Sequence, residues 1–209
     1  MKIESVKTTP DRAGRYRVQL DDGSILRLYR QTVEDFGLYA GLELDEEQSA
    51  RLREAAGQMS AKMRAVRIVA ASNVSKEDLQ QRLVRKGETP RQAKEAVRWM
   101  EEMDLVDDEK TARQLVERCI AKGYGCARAK QVLYEKRIPK DLWDAVLEDY
   151  PDQTERIVDF LRSRLQVGRQ ERDLKRAIDS LLRRGHSYSQ IQQGLKLLEV
   201  DQDGFREEF

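Results

Sequence analysis

The sequence predicts a mainly α-helical protein: three tandem three-helix repeats in an elongated, curved array, behind a small N-terminal extension that contains a β-hairpin. Three observations predict it. First, a segment recurs. RLVRKGETPRQAKEAVRWM at 82–100 lies without a gap on SLLRRGHSYSQIQQGLKLL at 180–198, so that Leu83 falls on Leu181, Lys86 on Arg184, Gly87 on Gly185, Val97 on Leu195 and Met100 on Leu198. Second, apolar residues follow a helical period from about Ser60 onward. Third, before that point they alternate, and Asp22-Gly23 separates two β-type runs, a strong hairpin signal.

Residues 2–8 form a short, mixed strand-like run. Tyr16, Val18 and Leu20 alternate with Arg15, Arg17 and Gln19, and Ile25–Tyr29 follows the turn. A lone hairpin is marginal, so it should pack on the run at 2–8 and on a helix. Thr32 can cap a short helix that Gly37 and Gly41 end. Asp45 caps the next, with Glu46 and Glu47 placed to meet the positive end of the helix dipole. These elements make the extension, residues 1–59.

The first repeat spans 60–106. Met63, Val66, Val69 and Ala70 form the stripe of its first helix. Ser75 opens the second helix and Gly87 ends it; Thr89-Pro90 opens the third, since proline fits the first helical position. Ala93, Ala96, Val97 and Met100 are its buried face. The second repeat, 107–150, is marked by Leu115, Val116, Cys119 and Ile120, then Ala129 and Leu133, then Leu142, Ala145 and Val146 after Pro139. Its segment VLYEKRIPKDLWDAVL at 132–147 aligns with the other copies when its turn is shortened by one residue. The third repeat, 151–200, carries Ile157, Val158, Leu161 and Leu165, then Leu174, Ile178 and Leu181, then Ile191, Leu195 and Leu198. Residues 201–209 form an acidic tail that should fray. No repeat is large enough to bury a good core alone, so stacking should contribute much of the stability.

Composition narrows the function. The 39 basic and 38 acidic residues nearly cancel, which argues against a dedicated duplex-DNA binder. Cys119 and Cys126 suit small core and loop positions in a reducing compartment; they form no disulfide framework or zinc set. No apolar run approaches membrane-spanning length and no secretion signal opens the chain, so a cytoplasmic protein without membrane contact is expected. The lone His186 has no partner spaced for catalysis or metal binding. Asp107-Asp108 reads as a helix cap, and neither it nor DQDG at 201–204 completes a calcium loop. GYG at 123–125 is too short for a phosphate loop. Trp99 and Trp143 read as packing residues. No nucleophile–base set is present. The expectation is a protein that is not an enzyme and that needs no cofactor and no metal.

The stretch MDLVDDEKTARQLVERCIAKGYG at 103–125 resembles the RecX family, bacterial regulators of the RecA recombinase. The resemblance lies in Asp107-Asp108 after an apolar pair, in Ala112 and in the Lys122-Gly123 turn. LQQRLVRKG at 79–87, with Pro90 and Val97, fits the same pattern, as do the DDGS turn and GLYAGLELDEEQ in the extension. The middle repeat departs from the family in carrying Arg137 where a Lys-Gly-Ile turn is usual. The resemblance implies a modulator, inhibitory in sense, that binds the groove of the RecA–single-stranded DNA filament. Such a protein damps ATP hydrolysis, strand exchange and filament-assisted repressor cleavage. Some members of the family also touch DNA, and single-stranded DNA is therefore a second expected partner. A monomer is expected. The alternative is a direct nucleic-acid-binding helical-repeat protein, since three-helix units resemble helix-turn-helix folds.

Two sets of residues are candidates for the contacts. Arg82, Arg85 and Lys86 sit at the end of a second helix, with Lys130, Lys136, Arg137, Arg183 and Arg184 as counterparts. Cations there complement the helix dipole and can meet acidic groups or phosphates of a filament. Arg169, Arg172, Lys175 and Arg176, interleaved with acids, are the nucleic-acid candidates.

Overall fold

Alternating apolar residues build a three-stranded antiparallel sheet in the order β1 (Ile3–Val6), β2 (Arg15–Leu20), β3 (Ile25–Tyr29). Ile3, Val18, Leu20 and Leu28 point to one side and are buried. Register pairs Val18 with Leu26 and Tyr16 with Leu28. The hairpin turn uses Gly23 at φ 78, and the Asp22 carboxylate accepts from Ser24 N–H. The structure, a computed structural model, describes residues 1–165 and 171–207. It divides into two compact units between Val106 and Asp107.

In the first unit β3 runs directly into α1 (Arg30–Asp35), so Tyr29 occupies the cap position. Thr32, expected as the cap, instead lies inside the helix with its side chain buried. α2 (Glu46–Ala71) is a single helix of 26 residues opened by an Asp45–Gln48 capping box. It passes without a break through residues 59 and 60. Its N-terminal half packs under the sheet through Leu52, and its C-terminal half packs on α3 (Lys76–Arg85) and α4 (Pro90–Glu102). The buried face of that half is Ala61 and Ala65, flanked by Val66, Ile68 and Val69; Ala70 is exposed, against expectation. The small residues win because α4 lies close. A Cβ at Gly57, one turn earlier, would strike the Gln92 amide.

The second unit repeats the plan twice. α5 (Asp108–Ala121), α6 (Cys126–Glu135) and α7 (Trp143–Leu147) enclose Ala112, Leu115, Cys119, Ala129, Leu133, Ile138 and Leu147. α7 is shorter than its counterparts. It starts as a 3-10 turn at Lys140–Leu142, and Pro151 disfavours helix at the residue before it. α8 (Thr154–Arg164), α9 (Glu171–Arg183) and α10 (Tyr188–Glu207) enclose Ile157, Leu161, Ala177, Leu181, Ile191 and Leu198. α10 continues through 201–207, where a frayed tail was expected; no proline interrupts it. Gly194 lets α10 approach α8, since a Cβ there would lie 2.7 Å from the Ile157 side chain.

Each second helix ends in the same way. Glu88 N–H returns to Leu83 O, Ile138 N–H to Leu133 O and His186 N–H to Leu181 O. Gly87, Arg137 and Gly185 take φ of 95, 55 and 84 and bond to Val84, Tyr134 and Leu182 O. These are Schellman turns. They align 132–147 with the other copies without shortening, so Trp143 and Leu147 fall on Ala93 and Val97, and Leu142 is not the equivalent of either. Arg137 adopts the left-handed conformation that glycine takes in the other two copies, at a cost of about 1–2 kcal/mol.

The last two repeats are joined by a close turn-to-turn contact. Gly125 N–H donates to Arg184 O at 2.8 Å, His186 Nε2 lies 3.1 Å from Gly123 O, and Arg156 reaches Ile120 O at 2.9 Å. A Cβ at Gly125 or Gly185 would run into backbone of the facing turn. Gly185→Ala should therefore destabilise the second unit by about 3 kcal/mol, adding overpacking to strain. Gly87→Ala, whose Cβ would enter open space, should cost only about 1 kcal/mol, from its positive φ. Urea unfolding followed by fluorescence of Trp143 and of Trp99, each retained alone, reads the two units separately; equal losses would contradict the steric account.

Candidate partner-binding surface

The three Schellman turns decide where the candidate cations stand. Lys86, Lys136 and Arg184 are the cap residues of α3, α6 and the turn after α9, in one structural position. Arg183 matches Arg85. Arg82 has Val132 and Ser180 as its equivalents, and Lys130 lies in mid-helix, so these two basic residues have no counterparts. Lys130 borders a separate hollow with Asp144 and Glu148.

Their surroundings differ. Arg82 is held, with its Nη2 2.8 Å from the buried Asp78 carboxylate and Nη1 donating to Ser72 Oγ. Arg85 is two-thirds exposed and reaches Asp78 only at 3.9 Å. Arg137 is half-buried at the left-handed turn position. Arg184 lies over the Phe160 ring at 4.7 Å, while Arg183 is exposed. On α9, Arg172, Lys175 and Arg176 are exposed, with Arg176 3.6 Å from Asp173. Arg169 lies outside the described residues.

The turns also present something the sequence reading missed. The residue two before each cap is apolar and exposed: Val84 at 39%, Tyr134 at 68% and Leu182 at 43%. Scattered exposed apolar residues are ordinary. Three in one structural position, each preceding a basic cap, form a recurrent apolar-plus-cation feature. A gapless alignment of the three copies would have shown the column. Trp99 and Trp143 are half-buried against the cores, and Trp143 Nε1 donates to Ile138 O at 3.1 Å. Asp107 caps α5 by accepting from Glu109 and Lys110 N–H.

Within the first unit Arg82 and Lys86 join Arg15, Arg64 and Arg67 around an open groove of about 520 Å³. The last three were not candidates from sequence, because only the fold brings the start of β2, α2 and the end of α3 together. The buried Glu88 carboxylate accepts from Ser60 Oγ and lies 2.8 Å from Arg64 Nε. Arg64 also donates to Lys86 O. Among the described residues, no group of His, Cys, Asp and Glu is arranged to hold a metal, and no helix is long and apolar enough to cross a membrane.

This is a helical-repeat protein with basic turns after its second helices and a small sheet in its N-terminal unit. No family model matches the chain. It is similar to the regulatory protein RecX of Vibrio campbellii, 24% identical over 146 residues that cover 68% of this chain and 94% of that protein. The fold is that of solved RecX structures. A crystal structure of regulatory protein RecX superposes with a TM-score of 0.65 at 22% identity, over 92% of this chain and 98% of that one. RecX from Lactobacillus salivarius gives 0.60 at 20% identity, over 70% and 99%. The likeness to these solved structures shows the fold, and the sequence likeness to a regulatory protein RecX spans 68% of this chain.

His186 is part of this architecture rather than a reactive group. To donate to Gly123 O its Nε2 carries the proton, which leaves the buried Nδ1 without a partner. Burial, with Arg184 nearby, holds its pKa below the usual 6.5. The unfolded chain then binds the proton more readily than the folded one. Stability from this site is full above the unfolded value and is lost as pH falls from 6.5 toward the folded value. His186→Gln should flatten the pH dependence of the second unit's melting temperature just below neutrality; an unchanged slope would assign the effect to carboxylates.

Proposed function

We propose that the protein is a non-enzymatic modulator of the RecA recombinase, acting as an inhibitor on the RecA–single-stranded DNA filament. It works as a monomer in the cytoplasm. The observation that carries this reading is the recurrence of one surface feature, an exposed apolar residue beside a basic cap, on successive repeats of a RecX-like fold. A repeated surface suits a repeated partner, because each added repeat can engage an equivalent patch on a neighbouring subunit and so raise the effective concentration of the next contact. Bridged subunits resist the rearrangements that ATP hydrolysis and strand exchange require. The near-cancelling charge of the whole chain gives no general attraction to polyanions, which suits a specific protein partner as the main contact. The division into an extension at 1–59, three repeats at 60–106, 107–150 and 151–200, and a tail at 201–209 is part of this reading.

The test is ATP hydrolysis by the cognate RecA on single-stranded DNA, titrated with this protein while naked-strand binding is measured alongside. Suppression well below one protein per recombinase, at concentrations where little of the naked strand is bound, is the expected result. Suppression that tracks strand coating would instead favour the nucleic-acid-binding alternative. Leu182→Ala with Arg183→Glu changes two exposed side chains of one turn and should raise the half-suppressing concentration about tenfold, typical of losing a contact anchor. Tyr134→Ala should act in the same direction.

A further inference from the structure

The groove of the first unit is a different surface from the recurrent feature. Five cations line it: Arg15, Arg64, Arg67, Arg82 and Lys86. Among the described residues no carboxylate and no aromatic ring shares the lining. Three of the guanidiniums are fixed from behind. Arg15 Nε and Nη2 both donate to Asp11 Oδ2, at 3.0 and 2.8 Å, and Asp11 Oδ1 accepts from Ala13 and Arg15 N–H. Arg64 is anchored to Glu88 and Arg82 to Asp78. A guanidinium carries five N–H donors, so each keeps donors beyond those its anchor uses.

The other two cations are uncompensated. Arg67 spends Nη2 on Tyr29 Oη at 2.9 Å and Nε on Met63 O at 3.1 Å, both neutral partners. Lys86 is exposed, and its interaction at the groove is through its own backbone carbonyl, which accepts from Arg64. Counting the three anchoring carboxylates against the five cations leaves an excess of two positive charges. Two helices end beside the groove, α2 at Ala71 and α3 at Arg85. Helix C-termini attract cations, which explains one or two basic residues there. It does not explain Arg15, which comes from the sheet, or Arg67, four residues before the end of α2.

We propose that this groove binds the phosphodiester backbone of a single nucleic-acid strand, without reading its bases. Pre-oriented guanidinium donors match phosphate oxygens, and the fixed side chains lose little freedom on binding. The groove is an open trough, which suits an extended polyanion better than a compact nucleotide. It offers no ring on which a base could stack. Its apolar lining, Ala13, Ile68 and Ala71, is small and makes no pocket for a peptide side chain. Of the residues marked in the sequence as nucleic-acid candidates, Arg172, Lys175 and Arg176 lie on α9, in the other unit.

The test uses the whole protein without recombinase, so its outcome is independent of the filament reading. Binding of a short fluorescent oligothymidylate is followed by anisotropy across salt concentration. Arg67→Gln with Lys86→Gln changes only the uncompensated cations and leaves the three anchored pairs in place. Binding should weaken about tenfold, and the slope of log affinity against log salt should shrink by about 1.4, or 0.7 for each lost phosphate contact on a single strand. Lys86→Gln alone, at an exposed side chain, should give half that change in slope and keeps the test informative should the double variant unfold. Arg172→Gln with Lys175→Gln on α9 should leave both quantities unchanged. No strand binding by the unaltered protein, an unchanged slope in the folded groove variants, or loss only in the α9 variant would overturn the proposal. So would tighter binding of an oligoglutamate peptide, or displacement of the strand by low concentrations of inorganic phosphate.

Discussion

The chain reversal after each second helix is the constraint on which the rest of the structure depends. A left-handed residue at Gly87, Arg137 and Gly185 closes the helix on itself and turns the chain back. It satisfies carbonyls that a bare helix end would leave unpaired. The same turn drives the next residue into the interior and leaves the residue before the cap outside. Core and surface are therefore set together at one point in each repeat.

What occupies the inward position differs, and the difference governs what each repeat is tied to. Ile138 is apolar and fills its own core. Glu88 is a buried carboxylate and is stable there only because Arg64 and Ser60 reach it from α2. An unpartnered charge at that depth would cost several kcal/mol. His186 turns to the neighbouring repeat and binds Gly123 O. One position in the turn thus serves as a core plug, as an anchor that fixes Arg64 beside the groove, and as a clasp between repeats.

Two titratable side chains of the second unit serve its packing. Cys119 is buried, and burial pushes its thiol above the ordinary value, which makes it unreactive. Tyr150 donates to Tyr124 O and its hydroxyl is pushed up to about 12 by burial, so it stays a neutral structural donor. Several exposed cations, Arg30, Arg91, Arg98 and Arg113 among them, pair with an acid one helical turn away. The groove in the first unit stands apart because its cations come from separate segments.

Local chemistry was legible in the sequence wherever a residue acts through its own neighbours in the chain. Asp45, Ser75, Thr89 and Asp107 cap the helices they were expected to cap, because a side chain and the N–H two or three residues on need nothing else. The hairpin at Asp22-Gly23, the buried faces of α3 and α4, and the likeness of 82–100 to 180–198 follow from the same short-range rules, whereas on α9 Ala177 is buried with Leu181, and Leu174 and Ile178 are only partly so. Tertiary structure alone decided the rest. Ala61 and Ala65 are buried while Ala70 is not, because α4 lies against that side of α2. Gly125 and Gly185 are required because two turns far apart in sequence touch. Arg15, Arg64 and Arg67 share a groove with Arg82 and Lys86 only after the start of β2 folds beside two helix ends. Periodicity assigns a residue to a face, but which faces meet depends on contacts between residues distant in the chain.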